Sequence, residues 1–407
     1  MTILVLGGGA SGMMAALSAA ERGTHQVILL ERQARVGRKL LATGNGRCNL
    51  TNLHLSPARY HGADPAFCLP ALEQFGVRDT LQFFRRLGLV TVAEPSGRVY
   101  PFSDQANSVV DILRFALERP NISVQTGCEV QKLWKRRGGY LLKTSAGDFA
   151  GERLIVAAGG IAGGRLGGTA SGYEILESLG HRRTPLSPAL VQLVTEGTAT
   201  RALKGVRAKG RIRLLDRNVL LAESRGEIQF TETGVSGPAV FEISRTASVR
   251  GPGLRIALDL LPQMDTPDLE ELLREKCELL PRRTAEDLLT GIVHNRLGRV
   301  LVKSAGLLPE QPLGSLTDRQ LQRAAAAAKR WELICAGTQG MDSAQVTAGG
   351  IATEGFNPAT LESRLAPGVF ACGEVLDIDG DCGGFNLQWA WSSGRLVGHS
   401  AAEVGTI

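Results

Sequence analysis

At 407 residues the chain is longer than a single hydrophobic core usually serves, so at least two domains are expected. Its 43% hydrophobic and 21% charged residues are those of a soluble globular protein, and no uninterrupted apolar run reaches membrane-spanning length. Seven cysteines without CxxC spacing argue against both a disulfide framework and a zinc site, while a formal net charge of +6 suits an anionic cofactor or substrate as well as it suits nucleic acid.

The chain enters a strand at once, with no charged leader, which gives the expectation of a cytoplasmic protein without a membrane partner or a metal. Thr2 to Leu6 (TILVL) has the length of a buried strand and stops at GGGASG, Gly7 to Gly12, spaced G-x-G-x-x-G. Ala10 to Arg22 has helical periodicity, Gly23 breaks it, and Gln26 to Leu30 is a second apolar strand closing on Glu31. In such a unit Gly7 allows the tight turn, Gly9 lets backbone approach a pyrophosphate, and Gly12 lets the helix pack closely on its strand. Ala10 and Ser11 begin the helix, whose N-terminus offers N–H groups to phosphates. Glu31, with Arg32 beside it, stands 19 residues beyond Gly12, where a carboxylate can accept hydrogen bonds from the ribose hydroxyls of an adenosine.

Glu31 to Asn52 (ERQARVGRKLLATGNGRCNLTN) is too polar and broken to be core. Arg38 and Lys39 can face phosphates, and Thr43, Gly44, Asn45 and Gly46 offer backbone N–H groups like those of an anion-binding nest. With these residues the sequence resembles bacterial NAD(P)/FAD-dependent oxidoreductases of the type that includes bile-acid reductases and aminoacetone oxidases. The resemblance is strongest in residues 1 to 52 and 339 to 398. It implies an α/β fold: a Rossmann-like FAD-binding domain in two segments, 1–187 and 341–407, interrupted by an inserted β-barrel-like and helical substrate domain, 188–340.

Ala66 to Leu87 reads as two short amphipathic helices broken near Gly76, and Leu89 to Val99 as a strand pair. Gln105 to Leu117 has helical spacing, with Ser103 or Asp104 placed to cap it. The resemblance puts Arg98, Tyr100 and Ser103 on the substrate side of the flavin. Ser123 to Trp134 and Tyr140 to Thr144 read as strands joined by a basic turn, and by resemblance Val130 reads the adenine edge through its backbone. Leu154 to Ala158 is another apolar strand ending at Gly159 and Gly160, which puts glycine where a strand end meets a cofactor, and Ala158 and Gly159 join the cofactor residues. The glycines from Gly160 to Gly172 lack dinucleotide spacing, and relatives carry a proline and a Thr-Gly pair there; one dinucleotide site is expected, not two.

From Ala189 the pattern turns to short strands. Arg207, Lys209, Arg211 and Arg213 alternate with apolar residues, which places four cations on one strand face: a solvated surface, or a groove for RNA or an acidic substrate. Where relatives commonly have histidine this chain has Glu232, so no acid/base role is carried over to it. Pro238 to Arg245 can start a helix, and Pro267 to Leu280, Ala285 to Leu297 and Asp318 to Lys329 read as helices.

Near the C-terminus, QVTAGG (Gln345 to Gly350) and Leu365 to Cys372 are strands running into glycines. By resemblance Glu374, after Gly373, holds the ribityl hydroxyls of FAD. Gly383, Gly384, Phe385 and Asn386 open a helix to Glu403 whose N-terminal N–H groups can address the pyrimidine edge of a flavin. The expected cofactor is non-covalent FAD, with NAD(P)H as a transient reductant and a small organic molecule as substrate. No catalytic base stands out: His54, His61, His181 and His294 lie in unrelated contexts, and Cys48, Cys372 and Cys382 read as small residues within flavin motifs. A flavoprotein acting on RNA through the basic strand face, and a non-catalytic FAD-binding module, stand as the alternatives.

Overall fold

A computed structural model of the chain describes residues 1–403. Two structural units emerge, one formed by Met1–Ser187 with the segment from Gln345 onward, the other by Pro188–Ala344. Strand Trp331–Thr338 belongs to the barrel of the second unit, and Gln339 N–H donates to the Gln192 carbonyl within the same unit.

The first unit is built on a five-stranded parallel sheet in the order Val369–Ala371, Arg153–Val156, Thr2–Leu6, Gln26–Glu31, Ile122–Thr126. All but one residue of Thr2–Leu6 are buried, as expected of a central strand covered on both faces. Ala10–Ala19 is the helix that follows the glycine turn, and Phe385–Ala402 is the long C-terminal helix. The two pack with almost no gap, since a Cβ at Gly394 or Gly398 would lie 2.5 Å from the carbonyl oxygen of Ser11 or Ala15. Small residues four apart make this approach possible, and it welds the two ends of the chain into one core.

Buried side chains of the C-terminal helix tie it further. Gln388 accepts from the Thr51 hydroxyl at 2.6 Å and donates to the Phe75 carbonyl and Thr80 Oγ1. Trp389 and Trp391 are fully enclosed and donate to the carbonyls of Gly373 and Leu50, so the pair packs and anchors.

The second unit is a closed six-stranded antiparallel barrel, Leu193–Thr195, Gly234–Ser236, Val219–Phe230, Arg207–Asp216, Leu254–Asp259 and Trp331–Thr338, with helices Pro238–Arg250, Thr266–Leu279, Asn295–Ser304 and Asp318–Lys329. Closure leaves no sheet edge open. Ile212 and Leu214 point into its core while Arg207 and Lys209 are exposed, as their alternation requires.

Three local expectations are corrected. Ser123 to Trp134 is two strands in two sheets, Ile122–Thr126 and Val130–Arg136, broken at Gly127, whose φ is +65°. Ala285 to Leu297 is a single 3-10 turn at Ala285–Asp287 followed by a separate helix from Asn295, because Gly291 turns the chain at φ +85° and the His294 ring accepts from Arg296 N–H as a new N-cap. Neither Ser103 nor Asp104 caps the helix Ala106–Leu117. Its N-cap is Gln105 without a side-chain bond, Ser103 pairs with the Ser108 hydroxyl, and Asp104, at φ +58°, binds Arg47.

Candidate functional site

The glycine turn joins the first strand to its helix at the centre of the parallel sheet. Gly7 has φ +106°, a conformation that a side chain disfavours, and a Cβ there would lie 2.9 Å from Ala158 Cα. At Gly12 a Cβ would overlap the Gly7 carbonyl oxygen and lie 3.3 Å from the Ala157 methyl, so the helix sits directly against the turn and the neighbouring strand. Gly9 differs: a Cβ would meet no protein atom within 4 Å. The turn is therefore closed against protein at Gly7 and Gly12 and open at Gly9, beside the first N–H groups of Ala10 and Ser11.

Glu31 ends the second strand and folds back onto this turn. Its two carboxylate oxygens accept from Gly8 N–H and Gln33 N–H, each at 2.7 Å. Arg32 donates to the Gly167 carbonyl and Arg38 to the Gln33 side chain. The backbone at Gly127 and Cys128 donates to the carbonyls of Gln33 and Glu31, which brings Val130, buried at the start of its strand, to within a few residues of the carboxylate. Gly159 has φ +72° and open space around it, and Ala158 abuts the glycine turn.

The C-terminal segment reaches the same place. A Cβ at Gly373 would lie 2.5 Å from Ser11 Oγ, so the residue before Glu374 touches the first turn of the glycine-led helix. Glu374 accepts from Lys39 Nζ at 2.7 Å across 335 residues of sequence, and its other oxygen accepts from Thr347 N–H at 2.8 Å. Gly160 completes this cluster: a Cβ there would meet Thr347 Oγ1 and Glu374 Oε1 at 2.5 and 2.8 Å. Sequence reasoning named Lys39 and Glu374 and set Gly160 at a strand end facing a cofactor, but missed Thr347; the strand in QVTAGG was the available signal.

The loop before Lys39 and its continuation are tightly wound. Thr43 caps locally onto the Leu40 carbonyl, and Gly44 and Asn45 are both left-handed, at φ 58° and 57°. Gly384, at φ +103°, caps the C-terminal helix where a Cβ would lie 2.6 Å from the Thr51 carbonyl, and the Gly383 carbonyl accepts from Asn52 Nδ2. Phe385 and Asn386 are engaged inside the protein. The Phe385 ring stands edge-on to Tyr60 and its carbonyl accepts the Tyr60 hydroxyl, while the Asn386 amide exchanges two hydrogen bonds with the Gly380 backbone. Beside them His61 and Arg59 both hold Asp381, at 2.7 and 3.1 Å.

Arg98 points its guanidinium toward Cys382 at 4.0 Å, Tyr100 is buried beneath Arg47, and Ser103 lies on an exposed turn. Burial pushes the Cys48 and Cys372 thiols up to about 12. Both are therefore protonated at neutral pH and poor nucleophiles. Among the described residues no group of His, Cys, Asp and Glu side chains is arranged to hold a metal ion, and no helix is long and apolar enough to cross a membrane.

Compared with known proteins, residues 1–400 match the family model described as "HI0933-like protein Rossmann domain". The chain is 40% identical over 403 residues to the 3-dehydro-bile acid delta(4,6)-reductase of Clostridium scindens, covering 98% of each chain. It is 32% identical over 397 residues to the ribosomal RNA dihydrouridine synthase of Escherichia coli, covering 96% of this chain and 95% of that one. Among solved structures it aligns with the 3-ketosteroid delta1-dehydrogenase of Sterolibacterium denitrificans at 13% identity, covering 98% and 99% of the two chains with a TM-score of 0.49.

Proposed function

The chain belongs to the HI0933-like Rossmann family, and from that premise we propose that it is an FAD-dependent oxidoreductase that reduces a ring carbon–carbon double bond of a small organic molecule in the cytoplasm. The observation that carries this reading is the convergence of Lys39, Gly160, Thr347 and Glu374 beside the open glycine turn. A bare tight turn in an α/β domain would need none of them.

The residues present fit FAD. Gly9 leaves room for a pyrophosphate against the helix N-terminus, and Glu31 is held by two backbone N–H groups where an adenosine ribose would lie. Lys39 would offer charge to the second phosphate, Glu374 would accept from ribityl hydroxyls, and the Val130 backbone would meet the adenine. NAD carries the same pyrophosphate, so Lys39 suits either dinucleotide, and Glu374 as a partner for a ribityl chain is what favours FAD. When bound, FAD supplies the hydride-transfer chemistry, and the protein supplies position, charge and exclusion of water. Gly384 opens the C-terminal helix, whose N-terminal N–H groups would address the bound flavin, and the enclosed tryptophans hold that helix still. Seven free cysteines accord with a reducing compartment.

The named activities of the two relatives share one chemistry, the addition of hydrogen to a ring: a delta(4,6)-reductase and a synthase of dihydrouridine. That likeness supports reduction over oxidation. NAD(P)H serves as the transient reductant. A second reading, reduction of a pyrimidine in RNA, is favoured by the 32% identity to the dihydrouridine synthase. The basic strand face lends it less, because Arg207 pairs with Glu227 and Arg213 with Glu223 on the neighbouring strand.

The test is anaerobic. NADPH should bleach the purified yellow protein, and the colour should return on adding a cyclic dienone. Recovery with unmodified ribosomal RNA instead would establish the second reading. A protein that binds no flavin, or whose bound flavin is bleached only by dithionite and recovers with neither acceptor, would refute both.

A further inference from the structure

On the outer face of the barrel a cavity of about 330 Å³ is lined by Arg211, Arg213, Leu215, Asn218, Ala257, Asp259, Lys329 and Arg330. That volume is at the low end for small-molecule pockets, and the lining is far more polar than theirs usually is. Strand pairing explains the hollow. Arg211 lies opposite Asp259 and Arg213 opposite Ala257, so in the middle of a row of long side chains one position ends at a methyl group. Ala257 in turn faces Glu332 on the next strand, and the alanine becomes the floor.

Charge at this floor is unbalanced. Four cations line the cavity and one carboxylate joins them. That carboxylate, Asp259, is fully engaged by Lys329, whose remaining donors reach the carbonyls of Leu261 and Met264, so this pair is structural. Three guanidinium groups are left. Arg213 Nε donates to Glu223 at 2.6 Å and Arg330 Nε to Glu332 at 2.8 Å, which leaves the outer nitrogens of both forks for a ligand. Arg211 has only a loose ion pair: its Nε is buried without a hydrogen bond and lies 3.9 Å from Glu223 Oε1, while the other oxygen of that carboxylate accepts from Arg213. A desolvated guanidinium N–H without an acceptor is costly. Asn218 Oδ1 is taken by Arg255, so the Asn218 amide can only donate.

We infer that this cavity is a binding site for a phosphate group, with Arg211 as its central donor and Arg213, Asn218 and Arg330 around it. Two or three forked cations converging on a small polar floor match a tetrahedral dianion, which takes paired N–H bonds, better than they match a carboxylate. The phosphate has two possible sources, a phosphomonoester on a small molecule, dianionic with three terminal oxygens, or a phosphodiester of RNA, monoanionic with two, and the monoester is the better match. The site lies within the barrel unit, and the inference does not rest on the FAD reading.

The test uses the full chain saturated with FAD, so that any phosphate affinity of the glycine turn is already masked, and reads the thermal midpoint in inorganic phosphate against chloride at equal ionic strength. The midpoint should rise saturably in phosphate above the chloride control. Arg211→Gln should weaken apparent phosphate affinity about tenfold or more, the effect of losing a charge-assisted bond, while the midpoint in chloride holds or rises because a buried unpaired N–H is removed. Arg330→Gln provides a second variant should Arg211→Gln fold poorly. Ribose 5-phosphate and an oligouridylate without terminal phosphates then separate the sources: whichever displaces inorganic phosphate from the native protein and not from the variants is the ligand class. Equal responses to phosphate and chloride, or phosphate binding that neither substitution alters, would overturn the assignment.

Discussion

Gly9→Ala separates a cofactor role for the glycine turn from a purely structural one. The backbone at Gly9 is extended, at φ −78° and ψ −169°, and a Cβ would touch nothing within 4 Å, so the added methyl meets neither strain nor clash in the protein. Losing glycine from the unfolded chain stabilises by about 0.4–1 kcal/mol. Alanine is a poorer N-cap than glycine by a comparable amount. The two nearly cancel, and the urea stability of the flavin-free protein should change by less than about 1 kcal/mol. The same methyl fills the space through which a pyrophosphate would approach the helix N-terminus. Losing one or two charge-assisted hydrogen bonds at about 1.5–3 kcal/mol each should weaken FAD binding by about ten- to ten-thousand-fold. Gly12→Ala reverses the pattern: its Cβ would overlap the Gly7 carbonyl oxygen, so stability itself should fall by several kcal/mol, as for overpacked cores. Urea titrations followed by circular dichroism and FAD titrations followed by flavin fluorescence measure the two quantities independently. If Gly9→Ala binds FAD as tightly as the native chain, the turn does not cradle the pyrophosphate.

Lys39→Met should cost about 1 kcal/mol or less of stability, because the Lys39–Glu374 pair is still partly solvated, yet lower FAD affinity by at least tenfold; isothermal titration against urea melts checks the split, and equal small effects on both would remove Lys39 from the site. Gly394→Val should destabilise by several kcal/mol and abolish flavin retention, since the new side chain starts 2.5 Å from the Ser11 carbonyl; a native-like melt would mean the helix pair is looser than described. Burial lifts the thiols of Cys48, Cys68 and Cys372 from near 9.0 to about 12, and a group whose pKa is raised on folding stabilises fully below its unfolded value and loses that contribution as pH climbs from 9 toward 12. By pH 10 each thiol should have forfeited about 1.4 kcal/mol, so Cys48→Ala should lose about that much less than the native protein between pH 7 and pH 10 in urea melts, and identical losses would contradict the burial argument.

What could be read from the sequence was mostly local. A strand, a glycine turn, a helix and a second strand declare themselves within 31 residues, because each glycine has a steric task that its neighbours make visible. The barrel was legible as alternation, in Arg207 to Arg213 against Ile212 and Leu214. Boundaries set by a single backbone angle were not: Gly127 and Gly291 each divide what periodicity joins, and both do so through a positive φ that composition does not reveal. Nor could spacing pair Lys39 with Glu374 or seat Gly160 on Thr347. Those contacts depend on how the sheet orders its strands, and small residues at strand ends carry no signature of type. Phe385 and Asn386, placed beside a cofactor by their motif, also hold the helix entry through Tyr60 and Gly380, contacts that no spacing rule could supply.

The two carboxylates of the site, Glu31 and Glu374, share one design. Each is fixed by the protein through both oxygens, Glu31 by two backbone N–H groups, Glu374 by one backbone N–H and the Lys39 ammonium. An ionised carboxylate has about four lone-pair sites, so two remain on each for hydroxyl donors. A ribose diol asks for such a pair, and so does a ribityl chain. Because the fixed bonds hold each acceptor in place before any ligand arrives, the hydroxyls need not pay to order it, which is how pre-organisation turns modest hydrogen bonds into affinity. Glu31 belongs to the first strand pair and Glu374 to the returning segment, and the close packing of Gly394 and Gly398 on the glycine-led helix keeps the second segment against the first. The core contact between the chain's two ends therefore sets the distance over which one extended dinucleotide would be gripped at both sugars.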